Sequence, residues 1–501
     1  MEGAPGDSGP RAASCWGDAA LLTTSEMAAA DRAAIAGGIT GFELMQAAAA
    51  GIVRVTVERF SPRPVALLCG PGNNGGDGYV AAAMLRRLGW PVTVAALGDP
   101  ARLSGDAALA RDAWSGPVAP LTADCLSGAQ VLIDALFGAG LSRDIDGAAA
   151  AVLAEAVRIG LPSIAVDVPS GLDGNTGQVR GSCLPAVATV TFFRLKPGHL
   201  LLPGRALCGD LNLVDIGIMP EVLDRIAPRQ VRNRPELWRS RLPPARAEGH
   251  KYSRGHLLVR GGGETATGAA RLAAEAALCS GAGAVSLVAG QAASRVAAAQ
   301  VTAVMLIVAE DTAAFEAALD DRRRTAVLLG PGNGVGQATR SAVLAALGCG
   351  KPCVLDADAL TSFEAEPERL FEALNAHCVL TPHEGEFRRL FPDLDAPGKI
   401  QRVRAAAARA GAVVLLKGAD TVIAAPDGLC LVNGNAPPAL ATAGSGDVLA
   451  GIIGGLLAAG MPALPAAGAG TWLHGAAGTA AGTGATAEAV LAALPTALRN
   501  L

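Results

Sequence analysis

The sequence predicts an α/β protein of two domains, each built on a parallel sheet with helices on both faces. Three observations carry that expectation. At 501 residues the chain is too long for one domain. Short, continuously apolar runs alternate with segments of helical spacing, the pattern of buried parallel strands and their crossovers. A stretch rich in Pro and Arg, Pro220 to Ala247, interrupts the alternation and contains no strand-like run. Hydrophobic residues make up 51% of the chain and charged residues 17%, enough apolar material for two cores.

Residues 1–20 are rich in Gly, Ala and Ser and lack the basic start and apolar centre of a secretion signal, so a disordered extension is expected there. The first domain is expected over 21–220, a linker over 221–245 and the second domain over 246–501. Thr23 to Ala50 has helical spacing and should end near Gly51. Strands are expected at Val65–Gly70, Val92–Leu97, Val131–Leu136, Ser163–Asp167, Thr189–Leu195 and Leu211–Ile216, with helices such as Tyr79–Leu88 and Ala148–Ile159 between them. A second series follows at Gly255–Gly262, Ala284–Ala289, Val304–Ala309, Ala326–Gly330, Pro352–Leu355, Cys378–Leu380 and Ala412–Lys417. A helix from Val448 to Ala459 comes last in this reading. The two halves share a class but are not copies of one another.

Net charge is −4, with no basic face and no nucleic-acid module, so small molecules are the expected partners. Arg322 to Arg324 follow Asp320 and Asp321 and read as a solvated helix end. The 10 Cys are scattered without a Cys-x-x-Cys pair, which suits small core residues of a reducing, cytoplasmic protein. Val448 to His474 carries no formal charge with its His neutral. Pro462 and Pro465 interrupt it, so a buried helix, a loop and a second helix are expected, not a membrane span. The oligomeric state is open, and a homo-oligomer is compatible with the sequence.

Cys69-Gly-Pro-Gly-Asn-Asn-Gly-Gly-Asp-Gly78 lies between a strand and a helix, where open α/β sheets bind ligands. Its glycines would let a pyrophosphate or ribose approach, and Asn73, Asn74 and Asp77 would orient it. The spacing is not the dinucleotide Gly-x-Gly-x-x-Gly pattern. Two more strand ends reach the same rim, one at Asp134 and the other at Asp167-Val-Pro-Ser170. An Asp at the end of a buried strand needs a partner, a hydrogen bond or a cation, and oxygen-only groups suit a hard cation.

These segments together resemble the NAD(P)H-hydrate epimerase domain, over roughly Thr23 to Pro220. That resemblance implies a Rossmann-like three-layer α/β/α fold. It implies that Asn73, Asn74, Gly75, Gly76 and Asp77, with Gly138, Ala139, Gly140, Leu141, Ser142, Arg143 and Asp144, hold the hydrated nicotinamide nucleotide. Asn74, Asp134 and Ser170 would ligate K+. Asp167 would contact the substrate and is the candidate acid/base. Gln46 departs from the family, where Glu is usual.

The second half carries a glycine turn running into a helix, Ala441-Thr-Ala-Gly-Ser-Gly-Asp447. Helix-terminal N–H groups and the helix dipole favour an anion there, and Asp447 can take a proton from a hydroxyl attacking phosphorus. Three further strand-end motifs accompany it: Gly330-Pro-Gly-Asn-Gly334, Thr381-Pro-His383-Glu-Gly-Glu386 and Lys417-Gly-Ala-Asp-Thr421. Of the 6 His, His383 alone lies in such a motif. Lys417 suits phosphate contact.

This set is similar to the ribokinase-like ADP/ATP-dependent NAD(P)H-hydrate dehydratase, over roughly Arg246 to Leu494. The similarity implies that Ala269, Gly332, His383 and Asp447 contact the hydrated nucleotide. It places Lys417, Gly418, Ala419, Asp420, Thr421 and Gly446 around ADP or ATP with Mg2+. Glu384 stands where relatives often have Pro, and Ser445 where Thr or Met is common. The expected function is repair of hydrated NADH and NADPH: the first domain interconverts the R and S epimers, and the second dehydrates the S form. Asp447 would prime the hydroxyl for phosphorylation, and phosphate would then leave. The alternative is a ribokinase-type small-molecule kinase fused to a nucleotide-binding domain, which would release a stable phosphorylated product. A nucleotide-binding scaffold without epimerase activity is a third reading, against which the intact Asn, Asp and Ser positions count.

Overall fold

The computed structural model describes residues 13–243 and 250–501. The chain divides into two compact units, one ending at Val231 and the other beginning at Arg232.

The first unit holds strands β1 (Val65–Cys69), β2 (Val92–Ala96), β3 (Val118–Pro120), β4 (Val131–Ala135), β5 (Ser163–Val166), β6 (Ala188–Phe192) and β7 (Asp210–Val214). They form one parallel sheet in the order β3-β2-β1-β4-β5-β6-β7. Side chains alternate between its faces. Leu67, Cys69, Ile133 and Ala135 join the core under the helices Thr24–Ala36, Gly41–Arg59 and Asn73–Arg87. Ala66, Leu68 and Leu132 join the core under the helix Gly147–Arg158. Strand order reverses between β1 and β4, so the segments leaving their carboxyl ends, at Gly70 and Leu136, flank a crevice.

Three expectations change here. The helical stretch from Thr23 is two helices, each opened by a capping box, Thr23 with Glu26 and Thr40 with Glu43. The second does not stop near Gly51; it runs to Arg59, and Gly51 packs where a Cβ would stand 2.7 Å from the Val214 methyls. Asn73 to Gly78 are not a loop but the first turns of the helix Asn73–Arg87. Of the expected extension, residues 1–12 lie outside the described residues; Ala13–Ala19 forms 3-10 turns, and Ala20 is buried.

The second sheet contains β8 (Gln230–Arg232), β9 (His256–Arg260), β10 (Ala284–Ala289), β11 (Met305–Val308), β12 (Ala326–Leu329), β13 (Cys353–Leu355), β14 (Val379–Leu380), β15 (Val413–Leu416), β16 (Val422–Ala424) and β17 (Cys430–Val432). Its order is β11-β10-β9-β12-β13-β14-β15-β16-β17-β8. Pairing is parallel from β11 to β15 and antiparallel through β16 and β17. The helices Ser445–Ala458 and Ala463–Ala481 are largely buried, a helix–loop–helix as expected. Among the described residues no single helix is long and apolar enough to cross a membrane.

The stretch read as a linker carries a helix, Val222–Ile226, and then β8. Further on, Trp238 is buried, donates its indole N–H to Asn233 Oδ1 at 3.1 Å and meets Trp472 edge-on at 6.0 Å. Residues 244–249 lie outside the described residues.

Candidate active sites

The crevice of the first unit is a cavity of about 580 Å3. Asn73, Asn74, Asp77, Asp167 and Gly138 to Arg143 line it. Gly75, Gly76 and Asp144 do not. Gly70, Gly75 and Gly76 are closely packed, whereas Gly72 lines the cavity with open space where a Cβ would stand. A Cβ on Gly70 would overlap the Leu136 carbonyl oxygen, and one on Gly75 would overlap the Gly70 carbonyl oxygen. The helix N-terminus is thereby pressed against the ends of β1 and β4.

Asp167 follows β5 with φ of 68°, a strained value for a residue other than glycine. Its surroundings hold it there. Oδ1 accepts from Lys196 Nζ at 2.6 Å and from the Thr191 hydroxyl at 3.1 Å, and Oδ2 accepts from the Ala139 N–H at 2.9 Å. His199 Nδ1 accepts from the Lys196 N–H, so its Nε2–H donates to the Asp167 carbonyl at 2.8 Å. Burial pushes His199 down to about 4, which keeps the ring neutral. Burial raises the Asp167 carboxyl, but the Lys196 ammonium and the donated hydrogen bonds outweigh it and hold the group at about 2. Asp77 is pushed well up by burial and by the charges of Asp167 and Asp31.

Asp134 and Ser170 are buried and do not line the cavity. Asp134 accepts from the Ser170 N–H at 2.8 Å and the Ser170 hydroxyl at 2.6 Å. Burial raises its pKa against the pull of those bonds, and no basic side chain pairs with it. Asn74 has a buried amide nitrogen without a partner.

In the second unit, Asp447 occupies the first turn of the helix Ser445–Ala458, capped by Gly444 at φ 83°. A side chain on Gly444 would meet Ala487 and Leu272, each at 2.9 Å. Asp447 forms no hydrogen bond or ion pair among the described residues, and the N–H groups of Gly446 and Asp447 have no backbone acceptor. Gly446 lies against Lys417, whose Nζ would stand 3.6 Å from a Cβ there. Lys417 pairs with the buried Asp356 at 2.6 Å. Burial pushes Asp447 up to about 6; Asp356 and Asp358 push the same way, against Lys417. The Gly332 loop joins this group through the Gly334 N–H, which donates to Asp358 Oδ2 at 2.8 Å. Ala269 lies in the first turn of the helix Gly268–Ser280, which carries Leu272.

Other expected residues are engaged with protein. His383 caps the helix Glu384–Leu390, its Nδ1 accepting from the Gly385 and Glu386 N–H groups. Glu384 pairs with Arg402 at 2.6 Å. Asp420 pairs with Lys399 at 2.6 Å, and the Thr421 hydroxyl donates to the Gly418 carbonyl. Lys196, His199, Asp31 and Asp356 were not singled out from the sequence. Asp356 carries the signal that marked Asp167, an Asp directly after a buried apolar strand. A lysine that ends up 2% exposed carries none.

Two α/β units with polar crevices at strand ends, one rimmed by acids around a lysine and the other a helix N-terminus that carries Asp447 and lies against Lys417, define a two-site α/β enzyme. Comparison with known proteins narrows this. Residues 257–499 match the family described as NAD(P)H-hydrate dehydratase, and residues 41–198 match the YjeF-related protein N-terminus. The bifunctional NAD(P)H-hydrate repair enzyme of Moorella thermoacetica is 37% identical over 96% of this chain and 97% of its own. That of Escherichia coli is 34% identical over 88% and 85%. The ADP/ATP-dependent NAD(P)H-hydrate dehydratase of Bacillus subtilis, co-crystallised with ATP and Mg2+, is 28% identical at a TM-score of 0.45, covering 54% of this chain and 98% of its own. The chain belongs to the bifunctional NAD(P)H-hydrate repair enzymes.

Proposed function

We propose that the first unit interconverts the epimers of hydrated NADH and NADPH at the Asp167 cavity, and that the second unit dehydrates the S epimer at Asp447 with ADP or ATP. The observation that carries the second half is the convergence of Asp447, Lys417 and the unpaired amides of Gly446 and Asp447 at one helix N-terminus. The hydrate bears a hydroxyl on the ring carbon beside nitrogen, and hydroxide leaves poorly. Asp447 takes the hydroxyl proton while the terminal phosphoryl of the nucleotide moves onto that oxygen. The free N–H groups and Lys417 stabilise the charge that develops. The ring nitrogen then expels phosphate, and loss of a proton restores the dihydronicotinamide.

Mg2+ bound with the nucleotide would neutralise phosphate charge. Among the described residues no group of three His, Cys, Asp or Glu is placed to hold a metal, which suits an ion carried largely by phosphates and water. In the first unit, Asn74, Asp134 and Ser170 would hold K+. A buried carboxylate with no basic side chain paired to it, held against the Ser170 hydroxyl, fits a monovalent cation with oxygen ligands. Exchanging K+ for tetramethylammonium is expected to slow epimer exchange and leave dehydration unchanged.

Residues 21–220 and 246–501 are proposed as the two catalytic domains. The nine cysteines whose side chains the structure describes are free, in keeping with a cytoplasmic protein. The test is incubation of the purified chain with each separated epimer, with and without nucleotide, following the absorbance of the reduced ring. Nucleotide-dependent recovery from both epimers is expected. A stable phosphorylated product would point to a kinase instead.

A further inference from the structure

Thr24, Met27, Ala28, Asp31 and Ile35 fall on one side of the helix Thr24–Ala36, and that side forms a wall of the first cavity. Apart from Thr24 at its end, Asp31 is the only polar group on the stripe. It makes no hydrogen bond or ion pair among the described residues. Across the cavity, Asp167 is fully engaged by Lys196, Thr191 and the Ala139 N–H. A carboxylate held that firmly in its charged form is a poor proton carrier, though it suits the support of a cation. We propose that Asp31 is the proton-transfer residue of epimerisation, with Asp167 as the fixed anion facing it. This rests on the reading of the first unit as an epimerase.

The step balances without a co-reactant. Asp31, as the acid, gives its proton to the hydroxyl of the hydrate. The C–O bond breaks, its electron pair leaves with water, and the ring nitrogen lone pair forms a C=N bond. Water then adds to the opposite face of the same carbon and returns a proton to Asp31, while the C=N pair goes back to nitrogen. The ring is cationic only between these events, when Asp167 stabilises it. The environment suits the role: burial pushes Asp31 up to about 6, Asp167 adds to this, and Lys196 and Arg32 oppose it. Asp77 also faces it from the helix Asn73–Arg87, and Asp106 lines the same cavity.

Epimer exchange is measured on the full chain carrying Asp31→Asn, Asp31→Glu or no change. Asp31→Asn is expected to lower kcat by about 100-fold or more with KM little altered, and Asp31→Glu to recover part of the loss. In the unchanged chain kcat should fall as pH rises through about 6, because the acid form is needed, and Asp31→Asn should remove that limb. Dehydration of the S epimer by the same preparations reports that the chain is folded. Exchange by Asp31→Asn within about threefold of the unchanged chain, or a pH limb that survives the substitution, overturns the proposal. Absence of exchange in the unchanged chain overturns the epimerase reading itself.

Discussion

Asp447 and Asp167 are both carboxylates beside a lysine, yet their settings drive them apart. Lys196 gives its charge directly to Asp167, whereas Lys417 spends its short contact on Asp356 and leaves Asp447 unpaired. Asp447 at about 6 is therefore matched to accept a proton near neutrality. Asp447→Asn is expected to lower dehydration by at least about 100-fold, the usual scale for loss of a general base, while epimer exchange stays unchanged; comparing the two rates on one preparation checks this. The pH dependence follows with its sign. The base acts only when ionised, so dehydration should fall as pH drops below about 6 and level off above it. A profile flat between pH 5 and 7 would assign the proton to another group.

At the scale of elements, the glycine turn at 444 is where backbone shape and chemistry meet. Gly444 needs a positive φ and has no room for a side chain between Ala487 and Leu272. Gly444→Ala is expected to destabilise the second unit by about 1–3 kcal/mol through strain and overpacking. It should also lower dehydration; denaturant midpoints and rates measure the two effects. This turn was legible in the sequence because the same residues set both the conformation and the cap. The apolar strands were legible too, since strands buried on both faces read as continuous runs. Less legible were β3, β8, β16 and β17, three-residue strands at or towards the edges of their sheets. The run Asn73 to Gly78 looked like a loop because glycine disfavours helices, and only the packing of the helix start on β1 and β4 overrides that preference. His383 reads as a ligand because its motif ends a strand, and no local signal showed that its Nδ1 also caps a helix. Asp31 left no local signal, since one Asp on a helix reads as a solvated face until the cavity beside it is known.

At the scale of the whole molecule, each unit has its own sheet and its own site, so the two activities should be separable within the full chain. The dehydratase accepts one epimer, and the epimerase only redistributes material between the two. Its product is expected to leave as a freely diffusing nucleotide that either copy of the chain can capture. A full-length Asp447→Asn chain should therefore supply S epimer to a full-length Asp167→Asn chain in the same tube. With nucleotide present and R epimer as the starting material, neither variant alone should restore the reduced ring beyond the spontaneous rate of exchange. An equimolar mixture should recover it at close to the rate of the unchanged chain at the same concentration of each intact site. A mixture several-fold slower at saturating substrate would mean that the epimer passes between sites of one chain without equilibrating with solution, and the two sites would then have to be treated as coupled.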